Sequence, residues 1–186
     1  MPEQMHRLSR LNGAEWVMHR HSDTFAIQAE RSPQRLVLAP SERHLDILFS
    51  ISALLTPPFE ALWVLHTPRG GSNPGRYQSP PLSLTALSDL LLPVRDYLER
   101  DGRHDFWIHS RGSESLLVWD RHDLIYLYGV ISVFEDLLSN YGLHEGEVPI
   151  PSPHAHNYHA AYDLAERSLA NAIAWRVSPL READAQ

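Results

Sequence analysis

Three histidines lie within one short segment of this chain, which reads Pro-Ser-Pro-His-Ala-His-Asn-Tyr-His at residues 151–159. Imidazole is the commonest metal ligand among protein side chains, and its unperturbed pKa lies near neutrality. His159, Asp163 and Glu166 are spaced at i, i+4 and i+7, so that they fall on one stripe of a helix. Histidines beside carboxylates on a rigid support are typical of a site for zinc, iron or manganese. The sequence therefore predicts a divalent metal site formed by His154, His156, His159, Asp163 and Glu166.

The same segment is also consistent with a purely structural role. Pro151 and Pro153 favour an extended strip, in which the imidazoles would dock on a sheet and hydrogen-bond to backbone carbonyls and to the helix start. The spacing is similar to the His-x-His-x-Asp-His signature of metallo-β-lactamase-fold hydrolases, but Tyr158 takes the place of the aspartate. That motif also lies early in its fold, whereas this segment lies late in the sequence, so the family is excluded.

A second candidate is the glycine-rich segment Arg-Gly-Gly-Ser-Asn-Pro-Gly-Arg-Tyr at residues 69–77, within a long irregular loop. Glycines allow backbone amides to turn toward an anion, and two arginines can clamp it with paired hydrogen bonds. The segment matches no Walker or dinucleotide-binding fingerprint. It would suit a phosphate-bearing ligand or a protein partner, and the alternative is an exposed loop with solvated arginines. The residues predicted to bind are Arg69, Gly70, Gly71 and Arg76.

A third candidate is the polar sequence Trp-Asp-Arg-His-Asp at residues 119–123. Asp120 and His122 could form an acid–base cluster with His109. The favoured interpretation is a tight turn between two strands, because aspartate and arginine are good turn residues whose charges pair.

The composition excludes several classes of enzyme. The chain has no cysteine, which removes disulfides, thiol nucleophiles and cysteine-ligated metal sites. It also has no lysine, so that Schiff-base chemistry and a P-loop lysine are excluded. No Gly-x-Ser-x-Gly nucleophile elbow is present. His144 and Glu145 do not continue to a zincin motif, because Val148 stands where the second histidine is needed.

The net charge is −7 with histidine neutral, which disfavours binding to nucleic acid and favours a basic protein partner. No apolar run approaches the roughly 20 residues that span a bilayer, and the N-terminus lacks the apolar core of a signal peptide. We therefore expect a cytoplasmic protein without membrane contact. Exposed tryptophan or tyrosine on an edge strand would indicate a homo-oligomer, which is a further alternative.

Hydrophobic periodicity predicts one α+β domain over residues 1–186, with a loose N-terminal arm at residues 1–12. The sheet is expected to be mainly antiparallel, with about four helices packed largely on one face. Pro93 should kink the second helix, Ser41 should cap the first, and Gly142 should cap the third. The predicted strands are 15–19, 24–30, 35–39, 61–67, 105–110, 115–120, 124–128 and an edge strand at 147–150, and the predicted helices are 41–55, 84–98, 131–140 and 158–175.

Residues 115–129 read Ser-Leu-Leu-Val-Trp-Asp-Arg-His-Asp-Leu-Ile-Tyr-Leu-Tyr-Gly and are followed by an amphipathic helix and Gly142. This strand–turn–strand–glycine–helix pattern resembles the C-terminal halves of small acidic bacterial proteins, several of which are immunity proteins of polymorphic toxins. The resemblance implies a non-enzymatic protein that covers a basic toxin surface, and it assigns no functional residue. We therefore expect a protein-binding module that neutralises a basic partner and needs no cofactor. The alternative is a metal-dependent hydrolase that uses His154, His156 and His159.

Overall fold

A computed structural model describes residues 5–30, 33–129 and 134–185 of the chain. Within these residues, short 3-10 turns occur at Leu92–Val94, Ala160–Tyr162 and Glu182–Ala185. The strands are β1 Leu8–Asn12, β2 Glu15–Met18, β3 Thr24–Gln28, β4 Arg35–Ala39, β5 Phe59–Leu65, β6 Gly75–Gln78, β7 His104–Ser110, β8 Ser115–Trp119, β9 Ile125–Tyr128, β10 His144–Glu145, β11 His154–His156 and β12 Arg176–Ser178. The α-helices are α1 His44–Ala53, α2 Leu84–Leu91, α3 Arg95–Arg100, α4 Glu135–Asn140 and α5 Asp163–Ala172.

Most of the strands belong to one large sheet. Within the described residues its order is β10-β3-β4-β9-β8-β7-β5-β6-β12, and neighbouring strands are antiparallel except for β10 and β3. A smaller antiparallel sheet has the order β11-β1-β2 and joins the N-terminal strand to the histidine segment. The predicted α+β class is therefore confirmed.

The helices cover one face of the large sheet, as predicted. Successive residues of a strand point to opposite faces, and in β5 the side chains of Phe59, Ala61 and Trp63 belong to the main core. Glu60 and Leu62 point to the other face. All five α-helices in the described part of the chain contribute to this core, with Leu48, Ile51, Leu87, Leu91, Tyr97, Leu98, Leu138 and Leu169.

Proline and glycine set two of the helix boundaries as predicted. Pro93 lies in the 3-10 turn that separates α2 from α3, because proline has no amide hydrogen for the helical ladder. Gly142 follows α4 with a φ angle of 76°. The amides of Gly142 and Leu143 donate to carbonyls of the last turn of α4, each at 3.0 Å, which is the Schellman arrangement.

Residues 5–12 differ from the prediction of a loose arm at residues 1–12, of which residues 1–4 lie outside the described residues. Residues 8–12 form β1, which pairs with both β2 and β11, and both Arg7 and Leu8 are buried. Arg7 Nη1 donates to Leu98 O at 2.7 Å, and its guanidinium carbon lies 4.6 Å from the centroid of the Trp119 ring. Strand β1 depends on pairing with β11, which is far away in the sequence. Hydrophobic periodicity is a local signal and therefore did not predict this strand.

Other element boundaries also differ. Ser41 does not cap α1: Arg43 is the N-cap, with a φ angle of 62°, and Ser41 Oγ donates to Asp23 Oδ2 at 2.9 Å. The predicted edge strand at 147–150 is wrong, because β10 ends at Glu145. Strands β6 and β12, which pair at the edge of the large sheet, were not predicted. Of the third helix, predicted at residues 131–140, residues 131–133 lie outside the described residues.

Candidate metal centre

Three histidines come together next to the turn between β8 and β9. His122 lies in that turn, and His154 and His156 lie in β11. Each offers one imidazole nitrogen, and these three atoms lie within 4.8 Å of one another. The ring centroids are 4.8, 5.2 and 5.3 Å apart. Two of the predicted ligands, His154 and His156, therefore converge. The third histidine, His122, comes from a turn that was predicted as a connection or as part of an acid–base cluster, but not as a metal ligand.

Pairing with β1 positions two of these imidazoles. His154 and His156 lie opposite Arg10 and Leu8, and residues two apart in a strand project from the same face. Both rings consequently contact the turn between β8 and β9. His154 is held further, because its Nδ1 lies 2.9 Å from Pro151 O. A carbonyl oxygen only accepts, so Nδ1 is the donor in this contact, and in the neutral imidazole the lone pair is on Nε2.

Asp120 holds both the turn and the imidazole of His122. Its Oδ1 accepts hydrogen bonds from the amides of His122 and Leu124, each at 3.0 Å. Its Oδ2 lies 3.0 Å from His122 Nδ1, so that this nitrogen is the donor, and in the neutral imidazole the lone pair is on Nε2. A carboxylate behind an imidazole is a common arrangement for orienting a metal ligand. The turn favoured by the sequence for residues 119–123 is confirmed.

His156 stays neutral over a wide range of pH. Burial is the main cause that lowers the pKa of His156 to about 3, and the positive charge of Arg121 adds to it. Its Nδ1 is buried and has no hydrogen-bond partner among the described residues. A neutral imidazole is the form that binds a metal, so that protonation does not compete for this side chain near neutral pH.

The group fits a metal ion that keeps one open coordination position. Tetrahedral zinc with Zn–N bonds of about 2.0–2.1 Å places two ligand nitrogens roughly 3.3 Å apart, so that small ring rotations would close the group. Within the described residues, no fourth histidine, aspartate or glutamate joins these three. Structural zinc has four protein ligands, whereas catalytic zinc commonly has three and leaves the fourth position to water or substrate.

His159, another predicted ligand, lies outside this group. Its Nε2 is 2.9 Å from His6 O, and its backbone amide donates to Asp101 Oδ2 at 2.8 Å. Both bonds fix the segment after β11 to neighbouring parts of the chain. The structural role that the sequence left open for the histidine segment therefore applies to His159.

Asp163 and Glu166, the two predicted acidic ligands, instead surround a buried arginine. Arg103 Nη1 donates to Glu166 Oε2 at 2.6 Å and to Asp163 Oδ1 at 3.1 Å, and Arg103 Nε donates to Asp101 Oδ1 at 2.7 Å. The side chains of Arg103, Asp101 and Glu166 are all fully buried. Burial opposes the charge on the guanidinium, but the hydrogen bonds to Asp101 and Glu166 outweigh it and raise the pKa of Arg103.

The glycine-rich loop contacts an anion, and that anion is the carboxylate of Glu166. Glu166 Oε2 accepts from the Arg69 amide at 2.9 Å, and Oε1 accepts from the amides of Gly70 at 2.9 Å and Ser72 at 3.4 Å. Position 70 has no room for a side chain, because a Cβ there would lie 2.3 Å from Asp163 O. Glu166, predicted as a metal ligand, and Arg69 and Gly70, predicted for the anion-binding loop, are thus in contact with each other.

The remaining residues predicted for the loop have other roles. Gly71 has a φ angle of 98°, which side chains rarely adopt. Arg69 Nε lies 3.4 Å from Asp163 Oδ1, whereas Arg76 lies in β6 and forms an ion pair with Asp184. The two arginines therefore do not clamp a common anion.

The third candidate, an acid–base cluster, is not assembled. Asp120 and His122 are in contact, but His109 lies 3.7 Å from Glu60 Oε2. His109 is opposite Leu116 in the register of β7 and β8. It therefore lies at the other end of β8 from the turn that holds His122.

Further histidines surround the backbone of this turn. His21 Nε2 lies 2.8 Å from His122 O, and His44 Nε2 lies 3.0 Å from Asp123 O. His19 Nε2 is 3.3 Å from His21 Nδ1. The pKa of His19 is lowered to about 4, mainly by burial and to a smaller extent by the charge of His21. His21 and His122 are 101 residues apart in sequence, so that no spacing rule would have brought them together.

Comparison of the chain with protein-family models, with curated proteins and with solved structures gave no match. In the part of the chain that the structure describes, every helix is too short or too polar to cross a membrane. Function is therefore inferred from the chain's own side chains.

Proposed function

We propose that this chain is a zinc-binding protein whose centre is formed by His122, His154 and His156. The observation that carries the proposal is the fixed orientation of two imidazoles: Nδ1 of His122 and Nδ1 of His154 each face an oxygen that accepts. In the neutral form, which is the form that binds a metal, each of these two imidazoles has its lone pair on Nε2. Imidazole ligands suit zinc, copper, iron and nickel, and three of them with one open position are typical of catalytic zinc.

The open position supports a hydrolytic activity. Zinc lowers the pKa of a bound water to about 7 and so supplies a nucleophile at neutral pH. Arg121 lies close enough to His156 to lower its pKa, and a guanidinium at that place would stabilise negative charge in a transition state. Metal-dependent hydrolysis is therefore the reaction class that we propose for this centre.

Metal content tests the proposal directly. The chain is purified without an affinity tag or a metal column, and its zinc, iron and manganese are measured by mass spectrometry. We expect about one equivalent of zinc per chain, since three ligands form one site. Metal-free protein is then titrated with Co²⁺, whose visible absorption is intense in tetrahedral nitrogen sites and weak in octahedral ones. A chain that retains no zinc and gives only the octahedral cobalt spectrum would contradict the proposal.

A second candidate function is self-assembly through β2. Within the described residues, β2 is the outer strand of the smaller sheet, and one of its edges has no partner. Leu11 and Trp16 lie opposite each other in β1 and β2 and are 37 % and 53 % exposed. An unpaired edge with a large aromatic side chain favours pairing with another chain. A basic protein partner, in contrast, stays a prediction from the net charge of −7.

Sedimentation velocity over a range of concentrations measures this association. We expect the wild-type chain to dimerise and Trp16→Ser to weaken the dimer by about tenfold or more, because the aromatic side chain supplies most of the buried apolar area. Leu164→Ser is the matched control, since Leu164 is 70 % exposed but lies in helix α5, which offers no strand edge for pairing. A wild-type chain that is monomeric at every concentration would contradict self-assembly.

A further inference from the structure

A cavity of about 460 Å³ lies on the face of the large sheet that is opposite the helices. Its apolar floor includes Leu62, Trp107 and Leu116, whereas the adjacent residues Ala61 and Ile108 point into the helical core. Strand β12 and the residues after it form one wall. The volume falls within the range of about 300–1,000 Å³ that is usual for small-molecule sites.

The rim of this cavity carries an excess of positive charge. Arg176 and Arg181 line it, and neither forms an ion pair with any described residue. The guanidinium of Arg176 donates to the uncharged side chain of Gln78. The carboxylate of Glu60 is already paired with Arg111 at 2.6 Å. The cavity thus favours an anion, although the whole chain has a net charge of −7.

The floor of the cavity holds a hydrogen-bond donor that lacks an acceptor. The indole Nε1 of Trp107 is buried, and no described residue accepts from it. Buried donors are nearly always satisfied, because an unpaired one costs free energy. The guanidinium carbon of Arg76 lies 5.2 Å from the centroid of the Trp107 ring, and Asp184 holds Arg76 in place. The indole is therefore held in the cavity floor with a donor that no described residue satisfies.

We propose that this cavity binds a small organic anion with a flat apolar body, such as an aryl carboxylate or sulfonate. The apolar body packs on the floor, and the anionic group pairs with Arg176 and Arg181, whose guanidinium geometry matches two oxygens. One oxygen of the ligand accepts from Trp107 Nε1. The site is separate from the metal centre, because it lies beside His109 and Leu116 at the other end of β8.

Binding of the fluorescent probe 8-anilinonaphthalene-1-sulfonate tests the proposal, with uncharged N-phenyl-1-naphthylamine as the matched ligand. We expect one sulfonate probe to bind per folded chain, and the uncharged compound to bind about tenfold more weakly or worse. The double variant Arg176→Gln/Arg181→Gln should bind the sulfonate about tenfold more weakly, and both side chains are exposed, so that folding is preserved. Equal affinity for the two probes, or an unchanged affinity in the double variant, would overturn the proposal.

Two further variants separate the hydrogen bond and the charge. Trp107→Phe keeps an apolar ring and removes the donor, so that affinity for the sulfonate should fall about two- to tenfold while binding of the uncharged probe is retained. Arg100→Gln is the charge control, because Arg100 is exposed and lies in α3, on the helical side of the sheet. A loss of affinity in Arg100→Gln as large as in the double variant would show that the effect is not local, and would also overturn the proposal.

Discussion

Replacement of His156 by alanine is expected to lower the affinity of the chain for zinc by roughly 100- to 1,000-fold. Zinc sites in small peptides bind with about 10–16 kcal/mol, so that each of three ligands accounts for a few kcal/mol, and about 1.4 kcal/mol corresponds to tenfold. His122→Ala and His154→Ala should have effects of similar size, because each removes one nitrogen of the group. A competition titration against a chromophoric chelator of known zinc affinity measures the change.

His159→Ala provides the matched control for this series. The spacing of the histidine segment placed His159 among the ligands, whereas the structure places its Nε2 against His6 O. Zinc affinity in His159→Ala should therefore equal that of the wild-type chain. If this variant loses zinc as strongly as His156→Ala does, or if His122→Ala keeps full affinity, the centre is not the group described above.

Replacement of Glu166 by alanine is expected to reduce the free energy of unfolding by roughly 3–5 kcal/mol. The change removes one of the carboxylates that compensate the buried guanidinium of Arg103. It also leaves the amides of Arg69 and Gly70 without their acceptor. A buried charge that loses its partner destabilises the fold by more than the pair contributed. Urea denaturation followed by circular dichroism measures the effect.

Asp89→Ala is the matched control for Glu166→Ala. Asp89 also lies in a helix, α2, but its side chain is exposed, and exposed substitutions usually change stability by less than about 0.5 kcal/mol. Glu166→Ala that is still folded should bind zinc as the wild-type chain does, because Glu166 is not one of the three grouped residues. A loss of stability no larger than in Asp89→Ala would contradict the structural role of Glu166.

Much of the fold follows from local patterns in the sequence. The apolar run at 61–67 predicted a strand, and β5 occupies residues 59–65. Pro93 ends α2 and Gly142 ends α4, as predicted. Both effects depend on one residue alone, because proline has no amide hydrogen and glycine readily adopts a positive φ angle. Elements of this kind could be assigned without knowing their tertiary partners.

The candidate site depends on partners that are distant in the sequence. His154 faces His122 only because β11 pairs with β1 and the small sheet lies beside the turn after β8. Helical spacing correctly placed Asp163 and Glu166 on one stripe, but it did not reveal that Arg103 faces them. The types of side chain were therefore identified from sequence, whereas their grouping was not.

The contact between Glu166 and the loop at residues 69–72 also determines how that loop responds to free anions. A carboxylate attached to the same chain competes with them at an effective concentration on the order of millimolar or higher. A free anion that displaced Glu166 would also remove one of the carboxylates that pair with the Arg103 guanidinium. The backbone amides of the loop already donate to Glu166. Millimolar phosphate in a buffer or in a cell is therefore not expected to bind to the loop while the domain remains folded.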